Sequence, residues 1–465
     1  MIAAAALAAS LWAPDDLAKA QKAIDAALSA ATLRGTHAGV LAVDAVDGTP
    51  LYQRNAGDAF IPASTFKLLV GSAALAKLGP AFAFVTEVDA AGTSLALKGG
   101  GDPLLDAQDI DLAARAVATA ATKRYDSLIA DASRYNAPRY PDGWSIDDIP
   151  YDYSAIPSAL SLEENVLHAG VRPGDAPGDS TTLITLPVTD AITIENDVVT
   201  GAPGSEDTTD ITRPWDRPTV IQLIGSYPLG EKQLSDDFRP AVPDPPAYAV
   251  DVLRLDLIAH GVEIGTVRQA KSPSGAIMLW RHESIPLSKM LAKFWQPSDN
   301  FIGEQLLLEL GASSPNASRD KLGTRYSAIE VESAYLRSIG IDPKTVTIAD
   351  GSGLSEYDRI SPAALAAILR ADWNGPNRQT FLDALPLAGV RGTLESSFTG
   401  TPLAGNVYAK TGTINHTRTL AGYLTTKRHG TIIFAILIND WMDASPHASA
   451  AIEKSREAIL EALQQ

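Results

Sequence analysis

Strand-forming runs lie near both ends of this chain, and that placement most limits its fold. Near the start, His37–Ala45 is rich in Val, Leu and Ala, and a turn at Asp47-Gly48 leads into Leu51–Gln53. This is a β-hairpin signature. Near the end, Val407–Lys410 and Leu420–Thr426 read as strands, with residues 427–430 turning into Thr431–Leu437. A helix over about 447–463 follows. The pattern predicts one sheet built by both ends, with the middle inserted between them. A length of 465 residues exceeds one usual core, so two or three domains are expected.

The middle changes texture. An amphipathic helix over 15–32 opens on Asp15 and Asp16, which suit a helix N-terminus. Pro62-Ala63-Ser64 precedes an apolar helix, Thr65–Leu78, stopped by Gly79-Pro80. From about 84 to 240, short runs such as Thr181–Pro187 and Ala191–Thr200 alternate with Asp/Gly/Pro turns around a helix at 108–121. That stretch reads as a β-rich insertion. The prolines at 240, 243, 245 and 246 mark a crossing between domains. Helical patterns resume at Tyr248–His260, Pro286–Phe294, Asn300–Leu310, Tyr326–Ile339 and Pro362–Ala371. The expected division is 14–83 with 241–465 as one domain, and 84–240 as the insertion.

Residues 2–13 form an apolar, small-residue stretch, too short for a bilayer span of about 20 residues. With an A-x-A pattern at Ala6–Ala8 but without the usual basic start, residues 1–13 read as a leader remnant, the alternative being an apolar lead-in to the first helix. Export to an extracytoplasmic space is the expectation. A net charge of −17 (38 Lys+Arg, 55 Asp+Glu) argues against tracking nucleic-acid phosphates. The absence of cysteine removes disulfides, thiolate metal sites and cysteine nucleophiles together. The seven histidines show no metal-ligand spacing, no G-x-S-x-G surrounds a plausible nucleophile, and glycines 99–101 lack phosphate-loop spacing. Paired acids at Asp147-Asp148 and Glu163-Glu164 read as solvated turns.

Three short motifs carry chemistry: Ser64-Thr65-Phe66-Lys67, Ser298-Asp299-Asn300 and Lys410-Thr411-Gly412-Thr413. Each alone has a plain structural reading. A serine opening a helix is often only its cap, and a lysine ending a strand is often only solvated. Two further matches, Ser318-Arg319-Asp320-Lys321 and Ser314-Pro315-Asn316, crowd one polar loop in the wrong order and take the plain reading. In the first motif Lys67 lies one helical turn from Ser64, on the same face. Burial and a second cation such as Lys410 would lower its pKa, and a neutral amine beside a hydroxyl activates a weak nucleophile. Ser298 lies 234 residues after Ser64, and Lys410 another 112 on, which allows three elements to meet at one cleft.

In identity, order and placement these motifs resemble those of the active-site serine penicillin-recognising enzymes. With the long insertion, the chain is similar to the low-molecular-mass penicillin-binding proteins that are D-alanyl-D-alanine carboxypeptidases/endopeptidases (peptidase family S13). Further segments share the likeness: Gly99-Gly100-Gly101-Asp102-Pro103, residues 157–161, Asp350-Gly351-Ser352-Gly353-Leu354-Ser355, and 385–390 leading through Gly392-Thr393-Leu394. The resemblance spans about residues 30–440. It implies an α+β transpeptidase-like fold, an antiparallel sheet flanked by helices, carrying a β-rich inserted domain. Two departures stand out. Glu356, Tyr357 and Asp358 follow the D-G-S-G-L-S run where a basic residue and Asn are common, and Trp295-Gln296-Pro297 precedes Ser298 where a basic residue is common.

The resemblance implies acyl transfer at a D-Ala-D-Ala peptide, with no cofactor and no metal. Ser64 is implied as nucleophile, Lys67 as general base, and Ser298 with Lys410 as proton relay to the leaving amine. Backbone N–H groups of Ser64 and Thr413 would hold the oxyanion. Asn300 would hold the substrate backbone. Lys410, as one fixed cation, with the hydroxyls of Thr411 and Thr413, would hold the terminal carboxylate, and Gly412 would let an extended peptide lie along the strand. Implied partners are peptidoglycan stem peptides, with β-lactams as covalent inhibitors. The other readings are a β-lactamase-like hydrolase, for which no dedicated deacylating carboxylate is evident, and a non-catalytic wall-binding module, which would need neither Ser64 nor Lys67.

Overall fold

The computed structural model of the protein describes residues 12–30, 33–230, 235, 238–315, 322–442 and 446–465. Residues 1–11 of the expected leader lie outside the described residues, as do Asn316 and Ser318-Arg319-Asp320-Lys321 of the two duplicate motifs.

Helix α1 (Pro14–Leu28) precedes strands β1 (His37–Asp44) and β2 (Pro50–Arg54), and a 3-10 turn (Ala63–Phe66) runs into α2 (Lys67–Leu78). Strands β3 (Val85–Ala91) and β4 (Ser94–Lys98), helix α3 (Ala107–Thr119) and strand β5 (Arg124–Asp131) follow. Seven short strands come next: β6 (His168–Arg172), β7 (Thr182–Leu186), β8 (Thr193–Asn196), β9 (Val199–Gly201), β10 (Asp210–Thr212), β11 (Val220–Ile224) and β12 (Ser226–Pro228). Then come α4 (Pro245–Ala259), β13 (Glu263–Gln269), β14 (Ile277–Glu283), α5 (Leu287–Trp295), α6 (Asn300–Ala312) and α7 (Arg325–Ser338). Helices α8 (Pro362–Asn374) and α9 (Arg378–Ala384), strands β15 (Val407–Ile414), β16 (Thr417–Thr425) and β17 (Thr431–Asn439), and α10 (Pro446–Gln464) complete the order.

Both ends of the chain meet in one antiparallel sheet, ordered β15-β16-β17-β1-β2. Its central strand, β17, is apolar on both faces, as a strand covered on both sides must be. Alternation then sorts its residues. Ile433, Ala435 and Leu437 join a core with α2, α5, α6 and α8. Ile432, Phe434, Ile436 and Ile438 face the opposite layer, made by α1 and α10. Helix α2 runs inside the first core and is buried from Lys67 to Leu75, so its lysine starts in a setting without water.

A second sheet, β13-β5-β4-β3-β14, packs its own core against α3 and α4. The expected crossing at the proline cluster therefore gives way, because residues 245–283 sit with this second sheet rather than the first. Asp244 caps α4, its side chain accepting from the Ala247 N–H, and Pro245 stands at the start of the helix. There its fixed φ and missing N–H cost nothing, so Pro245 and Pro246 begin a helix. We propose that the inserted unit runs to about residue 284. Smaller sheets, β10-β11-β8, β12-β9 and β6-β7, extend beyond it. Within the expected single run 191–200 the chain makes two strands, β8 and β9.

The two units are fastened at α6. The Gln305 amide donates to the Gly101 carbonyl at 3.1 Å and the Ser158 carbonyl at 2.8 Å, both from the inserted stretch. Replacing Gln305 by the similarly sized Leu leaves the Gly101 carbonyl in a dry interface without its donor, while the Ser158 carbonyl keeps the Ser161 hydroxyl at 2.8 Å. Gln305→Leu is expected to lower unfolding free energy by about 1–3 kcal/mol, read from the urea midpoint at unchanged m-value.

Candidate active site

Ser64 lies inside the 3-10 turn and caps nothing; neither this turn nor α2 has a side-chain cap. Its Oγ lies 2.9 Å from Lys67 Nζ. The same amine is 2.7 Å from Asn300 Oδ1 and 2.6 Å from the Ser352 carbonyl oxygen. Ser298 is likewise not the cap of its helix. Asp299 takes that task, accepting from the Ile302 N–H at 2.7 Å, which leaves the Ser298 hydroxyl to the Lys410 amine at 2.8 Å. Lys410 also donates to the Thr411 carbonyl at 2.8 Å. The structure thus brings Ser64, Lys67, Ser298, Asn300 and Lys410 together from three separated stretches.

Strand β15 runs to Ile414, past the expected end at Lys410, so the third motif lies within a strand and its lysine is not solvated. Lys67 and Lys410 are both fully buried. Burial lowers the Lys67 pKa to about 8, against the pull of the Asp350, Asp299, Glu304 and Asp358 carboxylates. Burial, and then the neighbouring Lys67, holds Lys410 well below its ordinary value.

Two cavities open on either side of Ser64 and Thr413. One, of about 430 Å³, is lined also by Ser298, Thr393, Ser397, Thr411 and Arg456. The other, of about 730 Å³, is lined by Trp144, Asp147, Asp148, Tyr153, Asn300 and Glu356 among others. Asp147 and Asp148, expected as solvated turns, face this cavity, and Asp148 accepts from the Tyr153 hydroxyl at 3.0 Å. Thr411 Oγ1 is 2.8 Å from Thr393 Oγ1, a partner that lies in the Gly392-Thr393-Leu394 segment.

Several groups around the motifs had no role in the sequence. Trp295 is buried, and its indole N–H donates to the Lys67 carbonyl at 3.0 Å. Asp350, fully buried, gathers the D-G-S-G-L-S run around its carboxylate and accepts from Trp144 Nε1 at 2.8 Å. The Asn300 amide donates to the Tyr153 carbonyl at 2.8 Å, so a substrate finds it already engaged on two sides. The D-G-S-G-L-S run was a legible signal, since that many small residues around one acid imply a tight carboxylate-centred loop. Nothing in sequence linked it to Trp144, 206 residues earlier.

Residues 20–463 match the sequence profile described as the D-Ala-D-Ala carboxypeptidase 3 (S13) family. The chain is 32% identical over 456 residues to a D-alanyl-D-alanine carboxypeptidase of Actinomadura sp. (strain R39), covering 93% of this chain and 83% of that one. It is 25% identical over 419 residues to the D-alanyl-D-alanine carboxypeptidase DacB of Haemophilus influenzae, covering 88% and 86%. In fold it is similar to the crystal structure of penicillin binding protein 4 from Haemophilus influenzae, with TM-score 0.82 at 22% identity over 95% of this chain and 99% of that one.

Gly412 also has a packing reason to lack a side chain. A Cβ there would come within 2.1 Å of Thr419 Oγ1, 2.7 Å of the Pro62 carbonyl oxygen and 3.1 Å of the Ser64 N–H nitrogen. The missing side chain lets the turn carrying Ser64 dock on β15, and Thr419 Oγ1 fastens it by donating to the Pro62 carbonyl at 2.6 Å. Gly412→Ala is expected to cost about 1–3 kcal/mol of stability and to slow acylation of the folded fraction at least tenfold, measured by penicillin labelling against a thermal melt.

Proposed function

The chain belongs to the D-Ala-D-Ala carboxypeptidase 3 (S13) family, and we propose that it cleaves the terminal D-Ala from peptidoglycan stem peptides through an acyl-enzyme on Ser64. It is a D-Ala-D-Ala carboxypeptidase inhibited by penicillin, and the same serine would serve an internal D,D-bond. What supports the reading of the site is one observation: a serine hydroxyl 2.9 Å from a fully buried lysine amine whose pKa burial lowers to about 8.

Ser64 Oγ attacks the carbonyl carbon of the penultimate D-Ala as its proton passes to the neutral Lys67 amine. The C–N bond breaks, and the leaving amine gains a proton through Ser298 and Lys410, so the serine's proton is in balance carried off with D-Ala. Water then adds its hydroxyl to the ester carbon and returns a proton to Ser64 Oγ. The N–H groups of Ser64 and Thr413, both at the junction of the two cavities, are suited to the oxyanion, a contribution of about 3–4 kcal/mol each. Thr411 and Thr413 offer hydroxyls to the terminal carboxylate, with Asn300 and Gly412 bordering the substrate. No metal or organic cofactor enters this scheme.

A β-lactamase-like course would need a carboxylate to activate the deacylating water. Among the described residues no carboxylate hydrogen-bonds to Ser64 or Lys67, which favours a long-lived penicillin adduct. Among the described residues no helix is long and apolar enough to cross a membrane. Work outside the cytoplasm follows in this proposal from where peptidoglycan lies.

Intact mass after incubation with benzylpenicillin is expected to show one adduct on the wild type and none on Ser64→Ala. Rapid loss of the antibiotic without a lasting adduct would replace this reading with the β-lactamase-like one. Because Lys67 must be neutral to take the proton, kcat/KM on an acyl-D-Ala-D-Ala peptide is expected to rise with pH through about 8. A flat profile from pH 6 to 9 would remove Lys67 from the role of base.

A further inference from the structure

A neutral amine has two N–H bonds and one lone pair. Two of the three neighbours of Lys67 Nζ, the Asn300 Oδ1 and the Ser352 carbonyl oxygen, can only accept. When both N–H bonds point at those oxygens, the lone pair is left for the third neighbour, the Ser64 hydroxyl. The placing of two acceptors therefore decides whether Lys67 is a base toward Ser64 or merely a buried amine.

One stretch of the inserted unit holds both acceptors. The Tyr153 carbonyl accepts from Asn300 Nδ2 at 2.8 Å, which turns the amide so that Oδ1 faces Lys67. Trp144 Nε1 donates to Asp350 Oδ2 at 2.8 Å. Asp350 in turn accepts from the backbone N–H groups of Ser352 at 3.1 Å, Gly353 at 2.6 Å and Ser355 at 2.7 Å. That carboxylate coils the loop so that the Ser352 carbonyl points back at Lys67. A third tie, Ser355 Oγ to the Asp142 carbonyl at 2.7 Å, joins the same stretch to the same loop. Glu304 of α6 supports it from the other side, accepting from Gly351 and Ser352 N–H groups.

We propose that residues 142–153 form a strap that aims the Lys67 lone pair at Ser64, with Trp144 and Asp350 as positioning residues for the acylation step. This rests on the reading of Lys67 as the base for Ser64. It gives the inserted unit a part in the rate of the reaction, separate from any part in choosing substrates. Hydrogen bonds to charged groups in dry sites are the strong ones, so one donor removed from Asp350 is felt at Lys67.

The test is penicillin acylation resolved into the dissociation constant of the first complex and the rate constant of ester formation. Trp144→Phe keeps an aromatic ring and removes the donor; Ser355→Ala removes the third tie from a side chain that does not itself line the cavity, along with its acceptance from the Tyr357 N–H at 3.1 Å. Trp144→Phe is expected to lower the acylation rate constant about tenfold, and Ser355→Ala about threefold, with the dissociation constant of the Ser355→Ala complex unchanged. Lys67 faces Asp350, Asp299, Glu304 and Asp358, whose charges favour its ammonium form, and Lys410, the neighbouring amine. Asp350→Asn removes the largest of those opposing charges, so the acidic limb of the acylation profile is expected to move to lower pH. Acylation by both Trp144→Phe and Ser355→Ala at the wild-type rate would overturn the proposal, as would losses confined to the dissociation constant. If Trp144→Phe melts below the assay temperature, Ser355→Ala alone decides. A wild type that takes no penicillin would instead overturn the acyl-enzyme reading beneath it.

Discussion

A lysine amine buried without water is the constraint around which the rest of this site is organised. Withdrawing an ammonium group from solvent is expensive unless its hydrogen bonds are replaced, and the interior then favours the neutral form. Lys67 is given three oxygen neighbours in contact and four carboxylates farther off, and its pKa settles near 8. With fewer carboxylates the amine would be neutral but a feeble base. With more exposure it would stay protonated and useless toward a hydroxyl. The backbone follows from this compromise: Trp295 ties the Lys67 carbonyl, and Asn300 stands at the first position of α6, directly after its cap, from which its side chain reaches the amine.

The geometry is held by backbone that would not choose it freely. Ala63 and Ser298 both have positive φ, at 46° and 67°. Such residues cost about 1–3 kcal/mol each and survive only where their surroundings leave no alternative. Here the surroundings are close. Gly353, itself at φ 75°, passes so near that a Cβ on it would come within 2.1 Å of the Ala63 carbonyl oxygen. The Pro62 carbonyl is held twice, by Thr65 Oγ1 and Thr419 Oγ1. The same contacts that tolerate the strain place Ser64 over β15, so stability and site geometry cannot be adjusted separately here.

The three motifs, the sheet shared by the two chain ends and most helices were legible because each has a local signature. Period-two and period-3.6 patterns, Asp and Pro at helix starts, and short ordered motifs are all readable within a few residues. What escaped was non-local. The serines of the first two motifs could have been caps, and only tertiary placement showed that Asp299 caps α6 while Ser298 meets Lys410. Proline at 245 begins a helix rather than separating domains, a distinction that depends on what α4 packs against. Asp350 meeting Trp144, and Tyr153 meeting Asn300, join positions 206 and 147 residues apart.

The position of the site on the first sheet has a physical reason as well. Strand β15 is an edge strand, and an open edge invites unwanted pairing. Its first half is closed by the stretch before the 3-10 turn at Gly392: the Ala409 N–H donates to the Pro386 carbonyl, and the Ala388 N–H donates to the Val407 carbonyl. Its second half, from Lys410 onward, carries Thr411 and Thr413 into the cavities. The same covering stretch continues to Thr393, whose hydroxyl meets that of Thr411 where the closed part ends. Along β15, an extended peptide thus finds open strand edge in the half beside Ser64. In a protein of net charge −17, whose overall field repels an anionic peptide, short-range hydrogen bonding at that one open stretch has to supply the recognition that long-range attraction does not.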